Sequence, residues 1–266
     1  MSGAKDIVLR PISAQEANAL VRRVHYSGKV VQNSQLHIGV FYHGKLEGAM
    51  QFGPSLDKRK IQGLVKDTQW HEFIELNRMA FSDNLPRNSE SRALSIAMKL
   101  MKKFAPQIKW IVTFADGAQC GDGTIYRAAG FVLTGIKEND QIVEFPDGYR
   151  ETRAELTGTS WATIRKVAAR YGADVSGGAS LKPFIAVGAK SVPGYMIRYI
   201  YFIDPTYRAR LTVPELPYSE IERRGAGMYK GIKRGTGETD NAPGTNPETG
   251  GASPTFPLSV IQDGNR

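Results

Sequence analysis

The chain of 266 residues is long enough to bury a core, and its length allows one or two domains. Hydrophobic residues make up 41%, and no apolar run reaches the length of a membrane span. The first residues, MSGAKDIVLR, lack the apolar h-region of a secretory signal, so we expect no such signal. The single cysteine, Cys120, excludes an intrachain disulfide, so we expect a cytoplasmic protein. Lysine and arginine number 35 against 26 acidic residues, which favours a polyanionic partner such as DNA or RNA.

The first part of the chain predicts one helix among several strands. Ser13 and Glu16 match the S-x-x-E capping box, which begins a helix that ends near Gly28. His43–Gly44 separates two apolar segments and indicates a hairpin. The strands predicted here cover residues 7–12, 36–42, 46–52 and 73–81.

The middle of the chain alternates helices and strands. Helical spacing predicts a helix over 90–104, and a nearly continuous apolar run at 109–115 predicts a strand buried on both faces. Asp122 or Thr124 caps a short helix through Ala129, and FVLTG begins another strand. The order β-α-β-β-β-α-β-α-β combines a hairpin with helical crossovers, so the sheet must be mixed.

The last part of the chain is less regular, with a helix predicted over 162–172 and a strand over 196–204. From about residue 231, Gly, Thr, Asn, Glu and Pro predominate, and such a segment cannot bury enough apolar surface to fold. We therefore expect a catalytic core at 1–150, an extension packed on it at 151–230 and a flexible tail at 231–266.

This element order resembles the GNAT acyltransferase fold. That fold is α/β (α+β), with a mixed, splayed central sheet flanked by helices. The segment IYRAAGF, residues 125–131, is similar to the GNAT pattern Y-x-x-x-G-F. The tyrosine of that pattern, here Tyr126, often protonates the leaving group.

A more specific resemblance is carried by seven blocks in order: RRVHYSGK (22–29), FIELNRMAF (73–81), RNSESRALS (87–95), FADGAQCGDGTIYRAAGF (114–131), MIRYIYFIDP (196–205), RARLTVPE (208–215) and EIERRGAGMY (220–229). Together they resemble the Mom family of Mu-like phages over about residues 20–230. The resemblance implies an enzyme of the infected cell's cytoplasm that converts adenine in duplex DNA to N6-carbamoylmethyladenine. That modification would protect phage DNA from host restriction.

One motif departs from ordinary GNAT proteins, which hold the CoA pyrophosphate with R/Q-x-x-G-x-G/A at the start of the main helix. Here Glu90 and Arg92 replace the two glycines. Glycines let backbone N–H groups approach a phosphate closely, and a glutamate would repel it. The sequence argues against conventional CoA binding, and the candidates for binding the donor are Arg87, Ser89, Ser91 and Arg92.

Asp116 and Arg78 are the first catalytic candidates. Asp116 ends the buried strand, where ligands collect in open α/β sheets, and could accept a proton; alternatively it caps the following loop. Strand alternation places Arg78 on the same face as Leu76 and Ala80, with Glu75 on the other. A buried Arg78 needs a partner, for which Asp116 is the candidate. Arg78 then holds a phosphate or carbonyl oxygen, or forms a structural ion pair.

The block HYSG supplies His25 and Tyr26 at the end of the first helix, on the acceptor side of a GNAT cleft. Histidine is the usual base near neutral pH, although a lone histidine is more often structural. Tyr126 is the candidate acid, or else a core tyrosine. Cys120 is most simply inert, but with His25 and Asp116 it would form a metal site of mixed ligands.

The basic residues are scattered in small clusters. Each one singly is most simply a solvated surface charge, and together they are candidates for phosphate contacts that position DNA without reading its sequence. The candidates are Arg22, Arg23, Lys29, Lys58, Arg59, Lys60, Arg223 and Arg224.

The implied product bears CH2–C(O)–NH2 on N6 of an adenine that we expect to be flipped out of the duplex. Acetyl-CoA would have to bond through its methyl carbon, which needs redox chemistry and a metal such as iron. An activated glycine, with glycyl-tRNA favoured, would acylate N6 and then rearrange without a redox step. The expected partners are duplex DNA and tRNA, with no membrane and with a homodimer left open.

Two other functions stay open. One is a CoA-dependent N-acetyltransferase of a protein or small amine, against which the missing glycines argue. The other is a non-catalytic DNA-binding protein on a GNAT scaffold, against which the pairing of Asp116 and Tyr126 with HYSG argues.

Overall fold

The computed structural model describes residues 3–158, 160–229 and 231–233. The tail expected at 231–266 lies outside these residues from position 234 onward. The strands are β1 Val8–Pro11, β2 Leu36–Tyr42, β3 Lys45–Gly53, β4 Phe73–Phe81, β5 Trp110–Asp116, β6 Val132–Glu144, β7 Arg150–Thr152, β8 Lys190–Phe202, β9 Met228–Tyr229 and β10 Ile232–Lys233. The α-helices are α1 Ala14–Val24, α2 Lys58–Gln62, α3 Ser89–Phe104, α4 Thr124–Ala128, α5 Arg153–Thr157, α6 Trp161–Tyr171, α7 Lys182–Ala186 and α8 Ser219–Arg223.

Within the described residues, eight strands form one sheet in the order β1-β2-β3-β4-β5-β8-β6-β7. The pair β4–β5 is parallel and the other neighbours are antiparallel, so the predicted mixed sheet is confirmed. Pairing between β4 and β5 covers only Phe73↔Trp110 to Glu75↔Val112. Beyond this point the two strands diverge. This split is the splayed centre that the GNAT resemblance implies.

Helices cover both faces of the sheet. The apolar stripe of α3, with Ala93, Ala97 and Met101, packs with Leu76 and Ile111 in the largest core cluster. On the opposite face, α1 packs on Ala49 and Ala80, and α2 lies over Phe73 and Trp110. The split between β4 and β5 is therefore bordered by α3 on one side and by α1 and α2 on the other.

A bulge in β4 reverses the predicted side-chain alternation. In the pairing with β3, Phe52 lies opposite Leu76 and Gln51 lies opposite Arg78, so Asn77 is the extra residue. Leu76 before the bulge and Met79 after it both pack on the α3 side, while Ala80 packs on the α1 side. The expectation that Arg78 and Ala80 share a face with Leu76 is therefore wrong. Arg78 shares its face with Glu75.

Helix α1 ends earlier than predicted. Ser13 and Glu16 form the predicted capping box, with Ser13 Oγ accepting from Glu16 N at 3.2 Å. The last helical residue is Val24, and His25 is the C-cap with an extended backbone. Gly28, with φ of 59°, lies in the loop that follows rather than at the helix end.

The connection between β6 and β8, residues 145–189, has a small core of its own. Phe145, Leu156, Ile164 and Phe184 are buried together there. After this segment the chain returns to the sheet, and β8 lies between β5 and β6. The central sheet therefore continues past the boundary that the sequence predicts at residue 150.

Candidate active site

The five catalytic candidates lie together at the split between β4 and β5. His25 and Tyr26 come from the end of α1, and their rings contact each other in a tilted arrangement at a centroid distance of 4.0 Å. Arg78 comes from β4 just after the bulge, Asp116 ends β5, and Tyr126 lies in α4. Arg78, Asp116 and Tyr126 all lie close enough to Tyr26 for their charges to shift the pKa of its phenol.

His25 is a buried, neutral imidazole. Burial and, to a smaller extent, the nearby Arg78 guanidinium together lower its pKa to about 3. The backbone N–H of Ser27 donates to His25 Nδ1 at 3.2 Å, so the neutral ring carries its proton on Nε2. Such an imidazole is a poor base near neutral pH and a better hydrogen-bond donor.

Asp116 is 8% exposed and its carboxylate is held by the chain around it. Ala118 N donates to Oδ1 at 2.9 Å, and Gln119 Nε2 donates to Oδ2 at 3.0 Å. Asn139 Nδ2 on β6 also donates to Oδ2, at 3.4 Å. The capping role that the sequence left open is therefore present. The bonds also fix the carboxylate at the end of β5, beside the split.

Arg78 does not use Asp116 as its partner. Its Nε donates to the carbonyl oxygen of Lys29 at 3.2 Å, and its Nη1 donates to that of Asn77 at 3.1 Å. The guanidinium therefore ties the loop after α1 to the bulge in β4. Its charge lies close enough to lower the pKa values of His25 and Glu75.

Two phenols in the cluster stay protonated. Tyr126 is buried, and burial raises its pKa although contact with the Thr113 hydroxyl opposes the shift. The hydroxyl end of Tyr26 is desolvated, which raises the pKa of its phenol, and Cys120 acts in the same direction. Taken as a whole residue, Tyr26 is still 52% exposed, so it offers an aromatic surface beside a group of buried polar atoms.

Glu75 belongs to this cluster, although strand alternation predicted that it lies on the face of β4 opposite to Arg78. Burial raises the pKa of its carboxyl, while the side chains of Ser55 and Asn77 and the charge of Arg78 lower it. Its charge also raises the pKa of Tyr126. A bulge has no clear signature in β4 itself, so only the pairing with β3 could have revealed it.

The proposed metal ligands do not form a metal site. Among the described residues, no three His, Cys, Asp or Glu side chains are grouped so that they could hold a metal ion. The Cys120 thiol donates to the carbonyl oxygen of Asp116 at 3.3 Å, and burial raises its pKa. The Asp116 carboxylate accepts its bonds from Ala118 and Gln119. The donor set of His25, Asp116 and Cys120 therefore does not fit iron.

The start of α3 does not fit a CoA pyrophosphate in the usual way. Burial raises the pKa of Glu90 there, while its own backbone N–H donates to the carboxylate and so lowers it. Asp83 adds a second negative charge nearby and raises the Glu90 pKa further. Because the Glu90 carboxyl already accepts from an amide of the first turn, the position that would attract a phosphate is taken by an acidic side chain of the protein itself.

Three of the four candidate donor-binding residues line an open cleft beside α3. Its volume is about 680 Å³, and its lining includes Arg87, Ser91 and Arg92 together with Lys5. The fourth candidate, Ser89, is buried and donates to the carbonyl oxygen of Pro86 at 2.6 Å, so its role is structural. The cleft is basic, although the first turn of α3 is not.

The predicted phosphate contacts divide into two groups. Lys29 Nζ lies 2.5 Å from the buried Glu151 carboxylate, and Arg223 and Arg224 both pair with Glu220. Four others are exposed and have no acidic partner in the part of the chain that the structure describes: Arg22, Arg23, Arg59 and Lys60. Lys58 lies over the exposed Trp70 ring, 4.3 Å from its centroid. These five residues, on α1 and α2, occupy one face of the sheet.

The sequence of the chain matches a known protein family. The family model for the Mom protein family matches residues 6–220. The methylcarbamoylase Mom of Escherichia phage Mu is 38% identical over 138 residues, which is 52% of this chain and 57% of that protein. The match therefore spans little more than half the length of this relative. Every helix among the described residues is too short or too polar to cross a membrane.

Solved structures of acetyltransferases share a looser likeness. A GNAT family acetyltransferase from Elizabethkingia anophelis with acetyl-CoA bound has a TM-score of 0.36 and 12% identity, covering 74% of this chain and 98% of that one. The IAA acetyltransferase from Bacillus cereus has a TM-score of 0.38 and 12% identity, covering 74% and 99%. TM-scores this low do not support any statement about the function of the chain. The family match instead runs through every strand from β1 to β8 and through the candidate site, and the chain belongs to the Mom protein family.

Proposed function

We propose that this protein is a transferase that converts adenine in duplex DNA to N6-carbamoylmethyladenine and so protects phage DNA from host restriction. The observation that carries the proposal is the gathering of His25, Tyr26, Arg78, Asp116 and Tyr126 at the split in the sheet of a Mom family member. The name of the phage Mu relative, a methylcarbamoylase, indicates the same transferred group.

The donor in this proposal is an activated glycine, with glycyl-tRNA favoured over acetyl-CoA. Glu90 at the start of α3 repels the pyrophosphate of CoA, and the candidate metal ligands do not suit the redox route that acetyl-CoA would require. The basic cleft with Lys5, Arg87 and Arg92 suits the phosphates of a nucleic-acid donor.

The first step is acyl transfer. The N6 amine attacks the glycyl ester, the N6–C bond forms, and the ester C–O bond breaks. The Tyr126 phenol protonates the departing ribose oxygen, since burial keeps that phenol protonated. The fixed Asp116 carboxylate accepts the N6 proton, which becomes acidic as the new bond forms. The neutral His25 donates from Nε2 to the carbonyl oxygen rather than acting as the base.

The second step is a rearrangement without a redox change. The free amine of the N6-glycyl group attacks C6 through a five-membered ring, and the bond between C6 and the original N6 breaks. The glycine nitrogen then joins C6, and the original N6 becomes the carboxamide. Atoms and electrons balance, and the product is carbamoylmethyladenine.

Nucleoside mass spectrometry of plasmid DNA tests the activity. Cells expressing the full chain should yield deoxyadenosine heavier by one carbamoylmethyl group. The variants Asp116→Asn and Tyr126→Phe should reduce it by about a hundredfold or more, whereas Tyr218→Phe, a phenol bonded to the Phe131 carbonyl outside the site, should retain it. Unmodified DNA from a well-expressed, folded wild type would refute the proposal and favour an acetyltransferase of a protein or small amine.

The donor is tested with glycine labelled with heavy nitrogen. In the proposed route the glycine nitrogen becomes the nitrogen bonded to C6. Hydrolysis of the carboxamide should therefore release unlabelled ammonia and leave the label on the modified base. Modification by purified protein with acetyl-CoA alone, without any glycyl donor, would disprove the glycyl route.

A further inference from the structure

The loop between β3 and α2, residues 54–57, presents one side chain to solvent from a fixed backbone. At its start, Gly53 packs so closely that an added Cβ would lie 2.6 Å from the carbonyl oxygen of Asn33. Asn33 Nδ2 donates to the Pro54 carbonyl at 3.1 Å, and Ser55 is buried. At its end, Asp57 caps α2 through a bond from Lys60 N at 3.2 Å. Between these anchors, the side chain at position 56 is fully exposed.

That side chain is a leucine. Leu56 has a relative exposure of 101%, so it contacts nothing in its own chain. A single exposed leucine is ordinary on a protein surface and carries no meaning alone. Its position and its charged neighbours distinguish this one.

The loop that carries Leu56 begins at the candidate active site. Gly53, its first anchor, pairs with Glu75 across β3 and β4, and Glu75 shares its face of the sheet with Arg78. The exposed leucine is therefore three residues along the chain from a residue that pairs with a member of the site. The helix that follows it, α2, covers the same face of the sheet as α1.

The helix after Leu56 is basic. Asp57 follows Leu56 and caps α2, whose first three residues are Lys58, Arg59 and Lys60, and the exposed Arg22 and Arg23 lie on α1 on the same face. A fixed apolar side chain beside a row of cations matches a partner with an anionic surface and an apolar interior. A nucleic-acid duplex has this character, because phosphates line its exterior and stacked bases fill its interior.

We propose that Leu56 is a wedge that enters the base stack of duplex DNA when the target adenine leaves it. The cations of α1 and α2 hold the phosphates on either side, and Leu56 fills the space of the extruded base. The inference rests on the proposed function, since it specifies how that site reaches an adenine inside a duplex. Apolar side chains, leucine among them, serve as wedges in other proteins that deform DNA.

The test compares two substrates. One is a set of short duplexes, each with a single paired adenine in a different flanking context; the other places the same adenine opposite an abasic site, where it is already weakly held. Leu56→Ala should modify the paired adenine at least ten-fold more slowly than wild type and the unpaired adenine at a similar rate. Ile185→Ala, an exposed apolar residue on the distant α7, should match wild type on both.

Two results on these substrates would overturn the wedge: equal rates for Leu56→Ala and wild type on paired adenine, or equal slowing on both substrates. A second readout is independent of the chemistry. Duplexes with 2-aminopurine in place of adenine should become more fluorescent with saturating wild type but not with Leu56→Ala. A Leu56-dependent rise without any modified nucleoside would support the wedge and refute the proposed reaction. No Leu56-dependent rise would refute the wedge.

Discussion

Burial sets the protonation states of the residues at the split. The Tyr126 phenol and the His25 imidazole are both kept neutral because a charge would be poorly solvated there. A neutral phenol can give a proton, and a neutral imidazole with a pKa of about 3 cannot readily take one. In the proposed mechanism His25 is therefore a hydrogen-bond donor rather than the base, and Tyr126 is the acid.

The variant Tyr126→Phe removes only the phenolic hydroxyl and so tests the proposed role of Tyr126 as the acid. We expect the rate of adenine modification to fall by about 10²–10⁴, the usual contribution of a positioned acid, with little loss of stability because the ring still fills its place. Single-turnover kinetics and urea unfolding measure the two effects. Tyr218→Phe removes a phenol outside the site and is the matched control. Equal rate losses in both variants would contradict the assignment.

His25 also predicts a pH dependence of stability. Its folded pKa of about 3 lies below the unfolded value of 6.5, so the unfolded chain binds the proton first as the pH falls. Stability is unaffected above pH 6.5 and is lost progressively below it. From about pH 7 to about pH 5, wild type should lose about 2 kcal/mol more unfolding free energy than His25→Asn. Urea titrations at both pH values measure this difference, and parallel losses would contradict it.

At the scale of elements, the bulge in β4 marks the point at which side-chain alternation no longer predicted which face a residue lies on. Periodicity located β4 correctly, and the hairpin turn, the capping box and α3 are also as predicted. Alternation assumes an unbroken ladder, and the extra residue at Asn77 breaks it. Because of this one extra residue, Glu75 lies on the same face of the sheet as Arg78. The predicted set of site residues therefore lacked Glu75.

The loop after α1 is held from two sides. Arg78 donates to the Lys29 carbonyl, while Lys29 Nζ pairs with Glu151 at 2.5 Å and with Glu155 at 3.4 Å. Tyr149 also donates to Glu151, at 3.0 Å. The segment between β6 and β8 thus fixes the backbone that carries His25 and Tyr26. Lys29 and Glu151 are far apart in the chain, so no local sequence pattern could have predicted that they pair.

Lys29 and Arg59 should therefore differ in DNA binding. We expect Arg59→Met to reduce the slope of log affinity against log salt by about 1, as the loss of one phosphate contact does, and Lys29→Met to leave the slope unchanged. Fluorescence anisotropy with a short duplex at several salt concentrations measures both slopes. A reduced slope for Lys29→Met would return that residue to the phosphate contacts that the sequence predicted.

At the scale of the whole molecule, the sequence predicted the class of fold and most of the residues at the split, because motifs and periodicity are local signals. It did not predict that β8 completes the sheet between β5 and β6. The pairing of Trp110 with Phe202 joins positions far apart in the chain. Local patterns do not encode which strand edges meet, so the expected boundary at residue 150 divides the sheet.

A chain ended at residue 189 tests this organisation. It lacks β8, so the facing edges of β5 and β6 would be left unpaired and exposed to other chains. We expect it to aggregate, whereas a chain ended at residue 233 should stay monodisperse with wild-type thermal stability. Size-exclusion chromatography with light scattering measures both, and a soluble, monodisperse shorter chain would contradict the expectation.

The position of β8 also matters while the protein is being synthesised. Strand β6 ends at Glu144 and β8 ends at Phe202, 58 residues later. At about 5–20 residues per second, the ribosome needs about 3–12 s to deliver the missing strand. During that interval β5 and β6 are present without the strand that joins them, while the segment 145–189 already contains most of its own small core. We therefore expect this protein to depend on chaperones most strongly before β8 emerges.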